Sequence, residues 1–334
     1  MASVYTKRVR ALITLFLVAV LAAAGFAAWM VYRPVAPSGQ TFVLLHSGYS
    51  TRRIAAELRK AGIIHSELAF RLWHVTHPKP SLKAGEYLFE REASLPQVYD
   101  RIARGDIYFH EVTIPEGYTM FDIAKAMEDA GLCSAADFLH VAETQTQLIS
   151  DLAPEAKSLE GYLFPNTYQF TRTQSLEEMA ATMVRQFRQV AQQIGLSSDL
   201  HNTVTMASIV EKETAAPEER PRVASVYYNR LARRIALDAD PSVIYAELLT
   251  GTYAGALHHA DLSVNSPYNT YRILGLPPGP ISNPGKSALE AAMHPDNTNY
   301  LYFVSDGNGH HRFARSLEEH NQNVTAYRHA LHLR

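Results

Sequence analysis

The chain has 334 residues, 47% of them hydrophobic and 19% charged, which allows one large domain or two smaller ones with genuine cores and excludes a disordered chain. A net charge of -2 lacks the basic excess that a nucleic-acid partner requires, so none is expected. The single cysteine, Cys133, has no internal disulfide partner and no neighbour that would activate a thiol, and it reads as a small buried or half-buried residue.

Lys7, Arg8 and Arg10 precede an uncharged run from Ala11 to Tyr32, long enough for a bilayer core that needs about 20 residues. Ala22-Ala23-Ala24 also offers the small residues of a signal-peptide cleavage site. The run continues through Trp29 and Tyr32, however, as an interfacial aromatic belt does. Residues 1–36 are therefore read as a cytoplasmic N-terminus and an uncleaved single-pass anchor, with everything after Pro34 outside the cytoplasmic membrane.

Two segments align without a gap when Gly48 is laid on Gly117: FVLLHSGYSTRRIAAELRKAGI from Phe42 and EVTIPEGYTMFDIAKAMEDAGL from Glu111. Each predicts a short strand, a turn at the glycine, a Ser or Thr helix cap, an amphipathic helix and a stop at the second glycine. The pattern resembles the LysM module, a small unit that binds cell-wall glycan; two modules that only pack and position the rest of the chain would look the same. Between the copies, AGEYLFE near Gly85 alternates like a strand, and SLPQVYDRIARG from Ser94 reads as a capped helix. The first unit with its linker elements is assigned to 37–109 and the second to 110–158.

From Leu159 the motifs become dense, and 159–334 is read as the third segment. LEGYLFPNTYQF gathers Glu160, Tyr162, Asn166 and Tyr168 around Pro165, a polar and aromatic loop of the kind that lines carbohydrate clefts. SLEEMAATMVRQFRQVAQQIG follows as an amphipathic helix with Leu176, Met179, Ala180, Met183, Val184 and Phe187 on its core stripe. In the next helix, counting back from Glu213 gives Val210, Ile209 and Met206, an apolar stripe, whereas Glu211 follows Ala207, Ser208 and Val204, a more mixed face. A carboxyl carried to the apolar side has its ionised form disfavoured and stays protonated near neutral pH, as a general acid must. Spacing also permits the plainer reading, two solvated helix-end residues with Glu211 paired to Lys212 or Arg220.

The runs ASIVEKET, VASVYYNRL, ADPSVIYAELL, SPYNTYRILGLPPGPISNPG, AAMHPDNTNYLYFVSDGNGHHRFA and EEHNQNV, in this order and spacing, resemble the endolytic murein transglycosylase (YceG-like) family. The resemblance covers nearly the whole chain beyond the anchor. It implies a lytic transglycosylase of the inner membrane with its catalytic domain in the periplasm, cutting nascent peptidoglycan beside the cell-wall synthesis machinery. SIVEKET also resembles the helix of goose-type lysozyme and soluble lytic transglycosylases, in which the catalytic acid precedes Ser or Thr. That position is Glu213, before Thr214; Glu211 is held in reserve.

The chemistry implied needs one carboxyl group. Glu213 protonates the oxygen leaving the MurNAc anomeric carbon, then takes the proton from the C6 hydroxyl of that sugar as the 1,6-anhydro ring closes. No metal or other cofactor is called for. Candidate substrate contacts are Glu160, Tyr162, Asn229, Asp240, Tyr268, Asn269 and Tyr271, and the Pro- and Gly-rich loop from Pro277 to Gly285 is read as a rigid cleft wall. The fold expected is α+β, with LysM-like repeats and a lysozyme-like or YceG-like catalytic domain behind one transmembrane helix. Two other functions fit the same residues: a non-catalytic peptidoglycan-binding scaffold, and a murein hydrolase that uses water, with Glu211 or Asp240 as the second carboxylate.

Overall fold

The structure is a computed structural model describing residues 2–77 and 81–332. Its architecture mixes α and β and divides into two compact units, 1–110 with 170–174, and 111–169 with 175–334. The segment read as the second repeat, 110–158, thus falls almost wholly into the same unit as 175–334.

The first unit opens with helix α1 (Ala2–Tyr32), whose stretch from Lys7 to Tyr32 is long and apolar enough to cross a membrane. Strand β1 (Thr41–Leu45), helices α2 (Thr51–Lys60) and α3 (Glu67–Thr76), strand β2 (Gly85–Phe89) and helix α4 (Leu95–Arg104) follow. β1 and β2 pair antiparallel, Thr41 opposite Phe89 and Leu45 opposite Gly85. Their inward side chains Val43, Leu45, Tyr87 and Phe89 close a core with Ile54, Leu58, Phe70, Val98 and Ile102. Ser50 and Ser66 cap α2 and α3 by accepting from the backbone N–H three residues on.

The second unit begins with the same sequence of elements: strand β3 (His110–Ile114), helices α5 (Met120–Asp129) and α6 (Ala135–Thr144), and strand β4 (Asn166–Phe170), with β3 paired to β4. The copies share an offset of 69 residues, strand 41 to strand 110 and helix 51 to helix 120. Gly48 and Gly117 both take positive φ at the turn, 81° and 77°, where a side chain would be strained. Ser50 and Thr119 occupy matching N-caps. β4 corrects the expectation of a loop throughout LEGYLFPNTYQF: Tyr168 and Phe170 alternate with Thr167 and Gln169, the two-residue period of a half-buried strand.

The remainder is helical: α7 (Leu176–Gln193), α8 (Leu200–Glu213), α9 (Arg220–Ala232), α10 (Asp240–Thr250) and α11 (Lys286–Met293), then a hairpin of β5 (Tyr302–Ser305) and β6 (His311–Ala314), and α12 (Leu317–His332). α7 buries the expected stripe from Met179 to Phe187. α8 is the central helix, for Val204, Met206, Ala207, Ser208, Ile209 and Val210 are all fully buried, so both faces contrasted in the sequence lie inside. The loop from Pro277 to Gly285 packs on it rather than walling the cleft. The Ile281 N–H donates to the Ser208 hydroxyl at 3.0 Å, and the Ser282 hydroxyl donates to the Ser208 carbonyl at 3.1 Å.

Candidate active site

Glu213 is the last residue of α8, where the backbone turns extended at Thr214. That position brings its carboxyl out of the helix bundle into a cleft of about 500 Å³, shared with Tyr227, Arg230, Asp238, Asp240 and Tyr271. Tyr302 and Phe303 of the hairpin and His320 of α12 also line it.

Burial raises the pKa of Glu213 from its ordinary 4.5 to about 7; a hydrogen bond from Tyr227 opposes the rise and the charge of Asp240 adds to it. A carboxyl poised there holds its proton for much of the time near neutral pH and still accepts one back, which suits a group serving as acid and then base. Tyr227 is itself buried on α9, and its pKa is driven far up by desolvation and by Glu213.

Asp240 opens α10 and accepts a hydrogen bond from the Tyr271 hydroxyl at 2.6 Å. A buried knot holds this pair in place. The Ser242 and Thr270 hydroxyls lie 2.8 Å apart, the Thr270 hydroxyl accepts from the Ala239 N–H, and the Ser242 hydroxyl accepts from the Thr270 N–H. Asp238, just before, adopts φ 51°, a left-handed conformation that Asp tolerates better than most side chains. Its carboxylate pairs with Arg230 at 3.1 Å, and Arg230 also lies over the Tyr302 ring, 5.3 Å from its centroid.

Of the expected site residues, Glu213, Asp240 and Tyr271 meet in this cleft. The others do not line it. Glu211, two residues from the acid, is engaged inside the protein: Oε1 accepts from Arg220 at 2.6 Å and Oε2 from the Gly285 N–H at 3.0 Å. Glu160 is buried, accepting from the Met120 N–H at 2.9 Å and from the Asn283 amide at 2.7 Å, with burial pushing its pKa up to about 8. The Tyr162 hydroxyl meets His201 Nδ1 at 2.8 Å, and the other ring nitrogen of His201 lies 3.0 Å from the Pro278 carbonyl. Asn229 donates to the carbonyls of Thr298 and Tyr300. Asn269, fully buried, donates to those of Leu262 and Val264 and accepts from the Tyr271 N–H, so it orients Tyr271 from behind. Tyr268 packs on Tyr245, ring centroids 5.0 Å apart.

Sequence reasoning missed Tyr227, Arg230, Tyr302 and His320. The first two stand inside the run YYNRL at helical spacing i, i+3, a face that could have been read from the spacing.

The YceG-like family matches residues 43–326. The chain belongs to that family. Among the curated relatives of this YceG-like chain, a Bacillus subtilis protein named endolytic murein transglycosylase is 34% identical over 317 residues, covering 88% of this chain and 87% of the relative. A Streptococcus pneumoniae protein of the same name is 29% identical, covering 96% of this chain and 66% of its own length. The crystal structure of a yceG-like protein from Listeria monocytogenes shares 33% identity and superposes with a TM-score of 0.56, covering 85% of this chain and 98% of that one.

Proposed function

We propose that the chain is an endolytic murein transglycosylase, an enzyme that cleaves MurNAc–GlcNAc bonds in nascent peptidoglycan and leaves 1,6-anhydroMurNAc ends. The observation that carries the reading is Glu213: a carboxyl at a helix end, open to a cleft, with a pKa near 7 and a tyrosine hydrogen bond. The names of the relatives supply the substrate class.

In this mechanism protonated Glu213 donates to the glycosidic oxygen, and positive charge builds on the MurNAc anomeric carbon. Asp240, held by Tyr271, supplies negative charge on the same cleft and favours that state. The Glu213 carboxylate then removes the C6 hydroxyl proton as that oxygen closes on the anomeric carbon, so one carboxyl serves both transfers. The remaining expected contacts, Glu160, Tyr162, Asn229, Tyr268 and Asn269, act in this reading by shaping the loops around the cleft. α1 is the uncleaved inner-membrane anchor with its N-terminus in the cytoplasm. The two strand–helix–helix–strand copies are LysM-like glycan contacts, and the periplasmic enzyme works beside the cell-wall synthesis machinery.

Asp240 in the cleft also supports a second reading, a hydrolase in which it activates water. Mass spectrometry of digested glycan strands separates the two. Anhydro ends, together with resistance of strands whose MurNAc C6 hydroxyl is O-acetylated, are expected. Rapid cleavage of blocked strands to reducing ends would establish the hydrolase instead, and no cleavage at all would leave a binding scaffold.

A further inference from the structure

α3 is apolar on two faces. Phe70 is fully buried and Trp73 packs against the core of the first unit. Leu68, Leu72 and Val75, at i, i+4 and i+7, share another face and are 61%, 58% and 75% exposed. An isolated exposed leucine is ordinary, but the outward stripe of a helix in water is polar, and a continuous apolar one marks a contact.

The neighbour of this stripe indicates what it touches. Phe26, Met30, Val31 and Tyr32 near the end of α1 and Leu68, Leu72 and Trp73 of α3 line one apolar groove of about 460 Å³. Trp29 stacks on His65 with centroids 5.1 Å apart, and Tyr32 meets Trp73 edge-on at 6.1 Å. A span beginning at Ala11 needs about 20 residues, so it leaves the hydrocarbon near Met30, with Trp29 and Tyr32 at the depth where amphipathic aromatic rings settle. Arg33 lies over the Trp29 ring at 4.8 Å, and Arg71 is exposed beside Leu72, both able to reach lipid phosphates while their stems lie on apolar surface.

We propose that α3 rests on the outer face of the bilayer, with Leu68, Leu72 and Val75 inserted into the boundary between headgroups and acyl chains. The first unit is then held to lipid by a second, interfacial contact continuous with the span. This rests on reading α1 as an uncleaved anchor.

The chain's two tryptophans, Trp29 and Trp73, allow both statements to be tested separately. Full-length protein is reconstituted into phosphatidylcholine and phosphatidylglycerol vesicles with and without brominated acyl chains, and tryptophan emission is compared. Trp73→Phe leaves Trp29 to report on α1, and Trp29→Phe leaves Trp73 to report on α3. Expected is loss of emission from both, comparable in size. Loss from Trp29 alone overturns the α3 contact while the anchor stands; a Trp73 shielded by a second copy of the chain gives this same result. Loss from neither overturns the anchor reading and the proposal with it. Changing Leu68, Leu72 and Val75 together to Gln, in the Trp29→Phe background, alters only exposed side chains and is expected to abolish Trp73 quenching. Quenching that survives this change also overturns the proposal.

Discussion

The phenol of Tyr227 is hydrogen-bonded to the carboxyl of Glu213, from the helix packed beside the one that ends at this acid. The bond favours the ionised carboxylate, whereas the negative charge of Asp240 disfavours it. Glu213 therefore sits between two neighbours of opposite effect. With Glu213 in the proposed role of general acid, which requires it protonated, kcat/KM is expected to decline as pH rises through about 7. Tyr227→Phe removes a bond that lowers the pKa and moves this decline to higher pH, by roughly one unit for a hydrogen bond to a charged group. Asp240→Asn removes a charge that raises it and moves the decline to lower pH. Two pH profiles check the signs, and shifts in the same direction would contradict the assignment.

Glu211→Gln and Glu213→Gln are expected to fail in opposite ways. The first leaves the Arg220 guanidinium, buried to 6% side-chain exposure, with Glu116 at 3.5 Å as its one anionic partner among the described residues. Removing one partner of a buried ion pair costs about 3–5 kcal/mol, here at the lower end because Glu116 remains. The folded fraction of that variant should still cleave. Glu213→Gln leaves the fold intact and does not lower stability near neutral pH, since an amide of like shape cannot ionise where burial disfavours the charged carboxyl, but it slows cleavage by at least about 10²–10⁴-fold. Urea unfolding and strand digestion, run side by side, make the comparison.

The buried Glu160 gives the fold a pH dependence. Its pKa is raised from 4.5 to about 8, so between these values the native chain holds a proton that the unfolded chain has released. The contribution of this one group is accordingly complete below about pH 4.5 and is lost as pH rises toward 8, by up to roughly 4–5 kcal/mol at 1.36 kcal/mol per unit. Glu160→Gln, which cannot ionise, should flatten this fall, as seen by unfolding at pH 5 and pH 9. An unchanged slope would place the proton elsewhere.

Gly161→Ala is expected to destabilise severely. Its φ is +88°, and an added Cβ would lie 2.4 Å from the Pro280 ring and 2.9 Å from Val204. A strained φ alone costs about 1–3 kcal/mol, and neither the ring nor the central helix offers a flexible side-chain end to move aside. Thermal melting reads the effect directly, and a small shift would show that the 158–164 loop moves away from α8.

Much of the fold was legible because its signals are local. Ser50, Thr119, Gly48 and Gly117 each specify a cap or a turn by their own chemistry, and the duplicated pattern reinforced them. The choice between Glu211 and Glu213 was not legible from periodicity. A helix buried on every face presents no amphipathic stripe, so counting back from either glutamate leads to the core. What separates them is the end of the helix: Glu213 meets the cleft as the chain turns, while Glu211 faces Arg220, a pairing the spacing allowed, and Gly285, distant in sequence. Asn229 and Asn269 show the same limit. A polar residue, on a helix like Asn229 or in a loop like Asn269, has one appearance in sequence whether it contacts a sugar or satisfies buried carbonyls.

The two turn glycines have different surroundings. Among the described residues nothing lies within 4 Å of a Cβ placed on Gly48, whereas one on Gly117 would touch Glu211 and Lys212 at 3.4 and 3.5 Å, and the Gly117 N–H and carbonyl are bonded to Asn283 and Lys212. The second turn is fastened to the helix that ends at Glu213, so a substitution there is expected to disturb the cleft as well as the fold. The earlier copy's turn is answerable only to its own backbone. A side chain at Gly48 is therefore expected to cost only its own backbone strain, whereas one at Gly117 must also displace side chains of α8.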